Sequence, residues 1–275
     1  MPFVLSSIEQ MCDANIRSAW PPTWDRSSKN GSKMIGAFAK AFCQALSKSI
    51  KDATINGGTI SGGGSPPGGP VAGAVLTIPP GGLVATPPKI KPVFDCPDFS
   101  SPDSNNVDQH GSYAAWLRAV VEHLDDSIAT QWNIWIKTWT LPSGVALGGV
   151  AAWIPPSSAA PGPWTGGTIT PFIFMGQGSN SSPALDQLAQ VTVRTGKAKT
   201  AYVVSGSEVV GNVSVADGNS KQLIESVATG FSKTLEQFFE QVMIKDPTGS
   251  SATGTAFPPA GIVTGSITGL KFDVT

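Results

Sequence analysis

The stretch that decides the fold is Met34–Pro88, which reads MIGAFAKAFCQALSKSIKDA (34–53) and then TINGGTISGGGSPPGGPVAGAVLTIPPGGLVATPP (54–88). The first part carries apolar side chains four residues apart, at Phe38, Phe42, Leu46 and Ile50. This spacing predicts an amphipathic helix with one buried face. The second part has no charged residue, and its GG and PP dipeptides favour short strands separated by turns. A flexible linker is the alternative interpretation of its glycine-rich half.

The composition of the whole chain differs from that of an ordinary globular enzyme. Charged residues make up 13% of the 275 residues, where about a quarter is usual. Eight Trp, twelve Phe and 40% hydrophobic residues nevertheless separate the chain from disordered proteins, so it is expected to fold. A formal charge of −1 without a cluster of Lys or Arg gives no electrostatic footprint for nucleic acid. So sparse a charge predicts that neighbouring protein subunits cover the surface.

The pattern of a helix followed by an uncharged arm returns twice, near Ser112–Pro171 and near Lys221–Leu270. Ser112 is a suitable cap for the second helix, and no residue from 138 to 185 is charged. Laying the third helix over the first matches Phe231 with Phe38, which supports a weak internal repeat. Alternation of β-branched and polar residues in the segment before the third helix predicts a small antiparallel sheet.

These patterns predict an α+β fold that is not a compact classical domain. It consists of three amphipathic helices, each followed by an uncharged Gly/Pro-rich extended or β-hairpin arm, and a small antiparallel sheet. The expected segments are an N-terminal arm (1–32), a first helix and arm (33–90), an acidic linker (91–111), a second helix and arm (112–182), the small sheet (183–220) and a third helix and arm (221–275).

No stretch of the sequence carries a catalytic signature. His123 stands in one helix with Asp125 and Asp126, but a His and an Asp at i and i+3 supply at most two metal ligands. The acidic segment 89–111 holds several carboxylates, yet its spacing misses the EF-hand order. A GxSxG motif is absent. We therefore expect a protein that is not an enzyme and has no catalytic residue, metal or cofactor.

Cys12, Cys43 and Cys96 are odd in number and have no CxxC spacing. Buried free thiols are the favoured interpretation, and an intersubunit disulfide is the alternative. The N-terminus lacks the pattern of a signal peptide, and no apolar run reaches the roughly 20 residues that a membrane-spanning helix needs. These features predict that the protein is made and assembled in a cytoplasm without stable membrane insertion.

In its helix-plus-arm units, such as AFAKAFCQALSKSI…INGGTISGGG and GFSKTLEQFFEQVM…TGSSATG, the chain resembles the minor structural proteins of tailed bacteriophages and related contractile injection particles. The resemblance implies a passive role in a virion or particle, at a capsid, neck, tail or baseplate position. It also implies that the partners are copies of this chain and other structural proteins of the particle.

In this interpretation the helix faces and the uncharged arms pack on neighbouring subunits. The residues expected at these interfaces are Phe38, Phe42, Leu46, Trp116, Trp132, Trp135, Trp153, Trp164, Phe231, Phe238, Phe239 and Phe257. An oligomeric pore-forming protein is one alternative, although prolines interrupt the alternation that inserted strands need. A hydrolase of cell-envelope polymer acting through His123, Asp125 and Asp126 is another.

Overall fold

The computed structural model combines four α helices with antiparallel sheets among the residues that it describes, so the fold is α+β. The described residues are 4–63, 72–97, 107–139, 141–146, 150–151, 162–169, 172–173, 197–204, 207–214, 218–245, 252–256 and 262–275. Side chains are described mainly in the helices and in the segments that adjoin them.

The helices coincide with the apolar stripes of the sequence. They are α1 (Ser6–Ala19), α2 (Lys29–Asp52), α3 (Val107–Thr138) and α4 (Gly218–Gln241). The α2 helix begins where Ser28 Oγ accepts a hydrogen bond of 3.0 Å from the amide of Gly31, which satisfies one of the free donors of the first turn. The expected cap at Ser112 is wrong, because α3 already begins at Val107. An interior glycine such as Gly111 costs a helix only about 1 kcal/mol, too little to stop one whose next turns are buried.

The four helices enclose one hydrophobic core. The rings of Phe42 in α2 and Phe231 in α4 stack with centroids 4.0 Å apart, and Trp135 in α3 meets Phe239 in α4 at 5.1 Å. The helices α1 and α4 approach most closely at Gly230, where Ile16 occupies the space that a side chain would need. Full burial of each such aromatic or branched side chain stabilises the fold by about 1.5–3 kcal/mol.

The strands of the described residues are all antiparallel to their neighbours. They are β1 (Thr54–Ile55), β2 (Gly58–Gly63), β3 (Ala72–Ile78), β4 (Leu83–Val84), β5 (Leu141–Ala146), β6 (Val150–Ala151), β7 (Gly162–Ile169), β8 (Phe172–Ile173), β9 (Lys197–Val204), β10 (Ser207–Ser214), β11 (Met243–Lys245), β12 (Ala252–Ala256), β13 (Ile262–Ile267) and β14 (Lys271–Asp273). The hairpin β9–β10 falls in the segment expected to hold a small antiparallel sheet.

Seven strands form the main sheet, in the order β5-β3-β2-β13-β12-β7-β6. All seven come from the uncharged arms, and none contains a charged residue. The hairpin β2–β3 follows α2, strands β5 to β7 follow α3, and β12–β13 follow α4. Strand β3 pairs with β5, β7 pairs with β12, and β13 returns to pair with β2. Each arm is therefore paired with both of the others.

The main sheet is curved. Its edge strands, β5 and β6, are separated in the chain by three residues alone. Four Cα-to-Cα steps reach at most about 15 Å from Ala146 to Val150, whereas six strand spacings in a flat sheet would place these edges about 29 Å apart. The strands must therefore curl until the ends of β5 and β6 come near each other.

The base of the main sheet is tied to the helical core by a backbone bridge. The amide of Ile55 donates to the carbonyl of Leu270 at 2.8 Å, and the amide of Leu270 donates to Ile55 at 3.1 Å. Asn56 Oδ1 accepts a further bond of 2.9 Å from the amide of Gly269. Ile55 and Leu270 are both buried, so the bridge lies in the core where the first arm starts and the third arm ends.

Substitution of Gly230 by Ala tests the contact between α1 and α4. The added methyl would lie 2.9 Å from the backbone Cα and N of Ile16, so the helices would have to separate. We expect Gly230→Ala to lower the free energy of unfolding by about 3 kcal/mol, measured by urea denaturation.

Gly36→Ala in α2 is the matched control, because nothing lies within 4 Å of a methyl at that position. It is expected to raise the free energy of unfolding by about 0.5–1 kcal/mol through the better helix propensity of Ala. Equal effects of the two substitutions would contradict the close approach of α1 and α4.

Candidate functional site

Most of the residues expected at subunit interfaces lie inside the chain's own core. Each of the following is at most 5% exposed: Phe38, Phe42, Leu46, Trp132, Trp135, Phe231, Phe238 and Phe239. Their partners are one another, as in the contact of Phe238 with Phe239 at 5.1 Å between centroids. A side chain without exposed area cannot reach a neighbouring subunit, so the structure corrects the expected role of these eight residues to packing within one chain.

The remaining four expected residues are less well defined. Trp116 lies in α3 and Trp164 in β7, but the structure describes the side chain of neither. Trp153 and Phe257 lie outside the described residues. The main sheet is therefore the next candidate for a surface that meets partners.

One face of the main sheet is apolar. Strand pairing aligns a row across six strands that consists of Trp164, Gly254, Gly265, Ile60, Leu76 and Val145. Alternation along the strands puts Gly58 and Ile78 on the same face, and both are buried. This face is therefore buried at the end of the β2–β3 hairpin that holds Gly58 and Ile78.

The opposite face carries hydroxyl residues. One aligned row consists of Thr165, Thr253, Ser266, Thr59 and Thr77, and the next row contains Thr255, Thr264 and Ser61. We call these eight residues the hydroxyl face. Of these residues, Thr59 is exposed and Thr77 is half-buried. The hydroxyl face combines hydrogen-bonding groups with a complete absence of charge in the strands that form it.

The hydroxyl face was not among the residues that we expected from the sequence. Its signal is the alternation in GTIS (58–61), TGT (253–255) and TGS (264–266), where every second residue bears a hydroxyl group. Alternation shows that such residues share a face of their own strand. It does not show which strands are neighbours or in which register they pair. The rows of hydroxyl residues across the sheet depend on both.

Asp125 is a half-buried ionisable side chain on α3. Its carboxylate accepts hydrogen bonds from the amides of Ile90 (2.6 Å) and Lys91 (2.9 Å), which start a short 3₁₀ helix at Lys91–Val93. Burial raises the pKa of Asp125 despite these two bonds. Beside it, Lys91 Nζ lies 3.0 Å from Glu122. The two carboxylates therefore hold residues 90–93 against α3.

The proposed metal or hydrolase cluster around His123 is not supported by the geometry. The imidazole of His123 is 5% exposed, whereas Asp126 is exposed. Within the described part of the chain, no group of three or more His, Cys, Asp or Glu side chains could hold a metal ion. Segment 98–106 of the acidic linker lies outside the described residues.

The described surface has several open clefts, and ionisable side chains line some of them, such as Lys33, Lys40 and Asp95. A cleft of about 310 Å³ separates the loop Pro21–Thr23 from α4, and Glu225 is the one ionisable side chain among its lining residues. General acid–base catalysis requires a second positioned group near the first. This cleft does not provide that pair.

The three cysteines are free thiols. Cys12 and Cys43 are buried, in agreement with the favoured interpretation, and Cys96 is half-buried. Burial raises the pKa of all three thiols, and most strongly that of Cys12. A raised pKa suppresses the thiolate, which is the reactive form.

Comparison with known proteins gives no relative from which a function could be transferred. No protein-family model matches the chain, and neither curated proteins nor solved structures show a significant match. Among the helices of the described residues, none has both the length and the apolar character required to cross a membrane.

Thiol labelling tests the burial of the cysteines. With a disulfide reagent at neutral pH, Cys96 is expected to react in the native protein, while Cys12 and Cys43 react only after unfolding, because burial blocks access and raises the pKa. The readout is the number of fast-reacting thiols. Cys96→Ser is the control and should remove the fast phase, whereas fast labelling of Cys12 would show that the core is open.

The pH dependence of stability tests the position of Asp125. Because its pKa is raised in the fold, the stability that it contributes is fully present below its unfolded pKa and is lost as pH rises through the folded pKa. Denaturation at several pH values should therefore show the wild type losing stability relative to Asp125→Asn as pH rises from about 3.5 to 7. Asp126→Asn, at the exposed neighbouring position, is the control. A gain of wild-type stability relative to Asp125→Asn as pH rises would contradict the raised pKa of Asp125.

Proposed function

We propose that this chain is a non-enzymatic structural component of a bacteriophage virion or phage-tail-like particle, where it assembles with copies of itself and with other structural proteins. One observation carries the proposal. The three uncharged arms join in one curved sheet whose strands contain no charged residue, beside a hydrophobic core that the chain forms by itself.

The charge distribution is the physical basis of this proposal. Soluble domains commonly carry about 25–35% charged residues on their surfaces, and charge of either sign keeps them apart from other proteins. The strands of the main sheet contain no such charges. A sheet of this kind suits a protein whose surface is covered by neighbours after assembly.

The pairing of the arms favours an interpretation as three units, each consisting of a helix and a hairpin. The second strand of each hairpin pairs with the first strand of the next, and the third unit pairs with the first. The sequence between the two strands of each hairpin contains a Pro-Pro dipeptide, at 66–67, 155–156 and 258–259. The chain therefore uses a similar unit of helix and hairpin three times.

The expected mode of assembly changes in one respect. Exchange of strands between subunits needs free sheet edges. Each described strand of the main sheet already pairs with at least one strand of the same chain. We therefore propose that subunits meet through faces of the folded protein rather than through exchanged arms.

Electron microscopy of particles tests the proposed function. An antibody against this chain should label a defined position on phage or tail-like particles released by the cells that encode it, and the chain should co-sediment with those particles. A chain that stays in the soluble fraction while complete particles form would contradict the proposal. Loss of a turnover activity on cell-envelope polymer in His123→Ala would instead favour the hydrolase.

A further inference from the structure

We infer that the loop between α1 and α2 holds a binding site for a neutral sugar ring. The site is a cleft of about 800 Å³ that is lined by residues of segment 18–27, and we call it the Trp cleft after Trp20 and Trp24. Clefts of about 300–1,000 Å³ are the usual size for small-molecule ligands. The inference goes beyond the proposed function and does not depend on it.

Two indole rings form the apolar part of the Trp cleft. Trp20 and Trp24 meet edge to face, with ring centroids 5.6 Å apart and ring planes at 74° to each other. Trp20 is buried in the core, whereas Trp24 is half-buried and keeps part of its surface open. The face of an aromatic ring is electron-rich, and the C–H groups on the face of a sugar ring are complementary to it. Trp24 therefore offers a surface on which a sugar ring can stack.

Trp20 carries an unpaired hydrogen-bond donor. Its indole N–H is buried and has no hydrogen-bond partner among the described residues, although the side chain is only 6% exposed. A buried indole N–H normally has a partner, and an unpaired one costs free energy. Because Trp20 lines the Trp cleft, a ligand oxygen that enters the cleft can supply the missing acceptor. The unpaired donor indicates a ligand that carries hydrogen-bond acceptors.

The polar groups of the Trp cleft are held in place by contacts within the loop. Asp25 Oδ1 accepts hydrogen bonds from the hydroxyl (2.6 Å) and the amide (2.9 Å) of Ser27. The bond from the hydroxyl and that from the amide lower the pKa of Asp25, so its carboxylate is ionised at neutral pH. Arg26 Nη1 donates to the carbonyl of Arg17 at 3.2 Å. A site that is ordered by its own contacts loses little freedom when a ligand binds.

The charges of the Trp cleft favour a neutral ligand. Asp25 and Arg26 are the charged residues among those that line it, and their charges cancel. An anion would meet the carboxylate of Asp25, and a cation would meet the guanidinium of Arg26. A sugar ring avoids both conflicts, because its hydroxyl groups donate to a carboxylate and accept from N–H groups.

A proline-rich peptide is the alternative ligand that packs on aromatic rings. Its carbonyl groups accept hydrogen bonds, but proline has no amide N–H to donate. Such a peptide could pair with the indole N–H of Trp20 but would offer no donor to the carboxylate of Asp25. Because the Trp cleft presents donors and an acceptor together, its chemistry favours the sugar.

Titration of the whole chain with neutral oligosaccharides tests the inference. Maltotetraose, cellotetraose and chitotetraose are the probes, because they present sugar rings with different linkages and substituents. Binding is followed by saturation-transfer NMR and calorimetry, and we expect at least one probe to bind with a Kd of about 1 mM or lower. Absence of binding for all three, or binding of a proline decapeptide in their place, would overturn the inference.

Substitution of Trp24 shows whether the bound sugar lies in the Trp cleft. Trp24→Ala removes the stacking surface, so we expect binding at least about tenfold weaker. Trp24→Phe keeps an aromatic face and should bind within about threefold of the wild type. Ile134→Ala is the control, because Ile134 is 55% exposed on α3 and does not line the cleft. Wild-type affinity of Trp24→Ala would overturn the inference.

Trp20→Phe tests the role of the unpaired donor. The variant keeps an aromatic ring but removes the indole N–H, so we expect binding about tenfold weaker. Circular dichroism and thermal melting check that this variant and those at Trp24 are folded. Wild-type affinity of a folded Trp20→Phe would show that the N–H does not meet the ligand and would contradict the site as described.

Discussion

The backbone bridge between Ile55 and Leu270 is the constraint on which the arrangement of helices and main sheet depends. Two hydrogen bonds of 2.8 and 3.1 Å join residues more than two hundred positions apart, directly after α2 and directly before β14. Because the amides are buried, loss of this pairing would leave polar groups without partners in the core. The bridge thus places the start of the first arm beside the end of the third.

Helices were the part of this fold that the sequence allowed us to predict. Apolar residues four apart, as from Phe38 to Ile50, identify a buried helix face. The same pattern cannot say what covers that face. The aromatic residues of α2 and α4 looked suitable for neighbouring subunits, but Phe42 and Phe231 stack on each other within one chain. Burial is a local property of the pattern, whereas the identity of the partner depends on tertiary contacts.

The strand order of the main sheet could not be predicted, for a different physical reason. Short strands such as GTISGG in β2 are recognisable by their alternation and by flanking turns. Their neighbours are chosen by long-range pairing, as between β2 and β13, which no local preference encodes. The hydroxyl face exists only through that pairing, since Thr59 and Ser266 become adjacent when the strands align. The absence of charge was visible in advance, but the alignment of the uncharged strands in one sheet was not.

The pairing of β2 with β13 also constrains how the chain folds. About two hundred residues separate these strands, and contacts between distant residues slow folding because a long loop must close first. During synthesis the hairpin β2–β3 emerges well before β13, so one side of β2 lacks its final partner for most of that time. Uncharged strands with free edges are prone to aggregate. The first 100 residues expressed alone should therefore aggregate. In the full chain, strand β13 of the third arm ends this exposure when it pairs with β2.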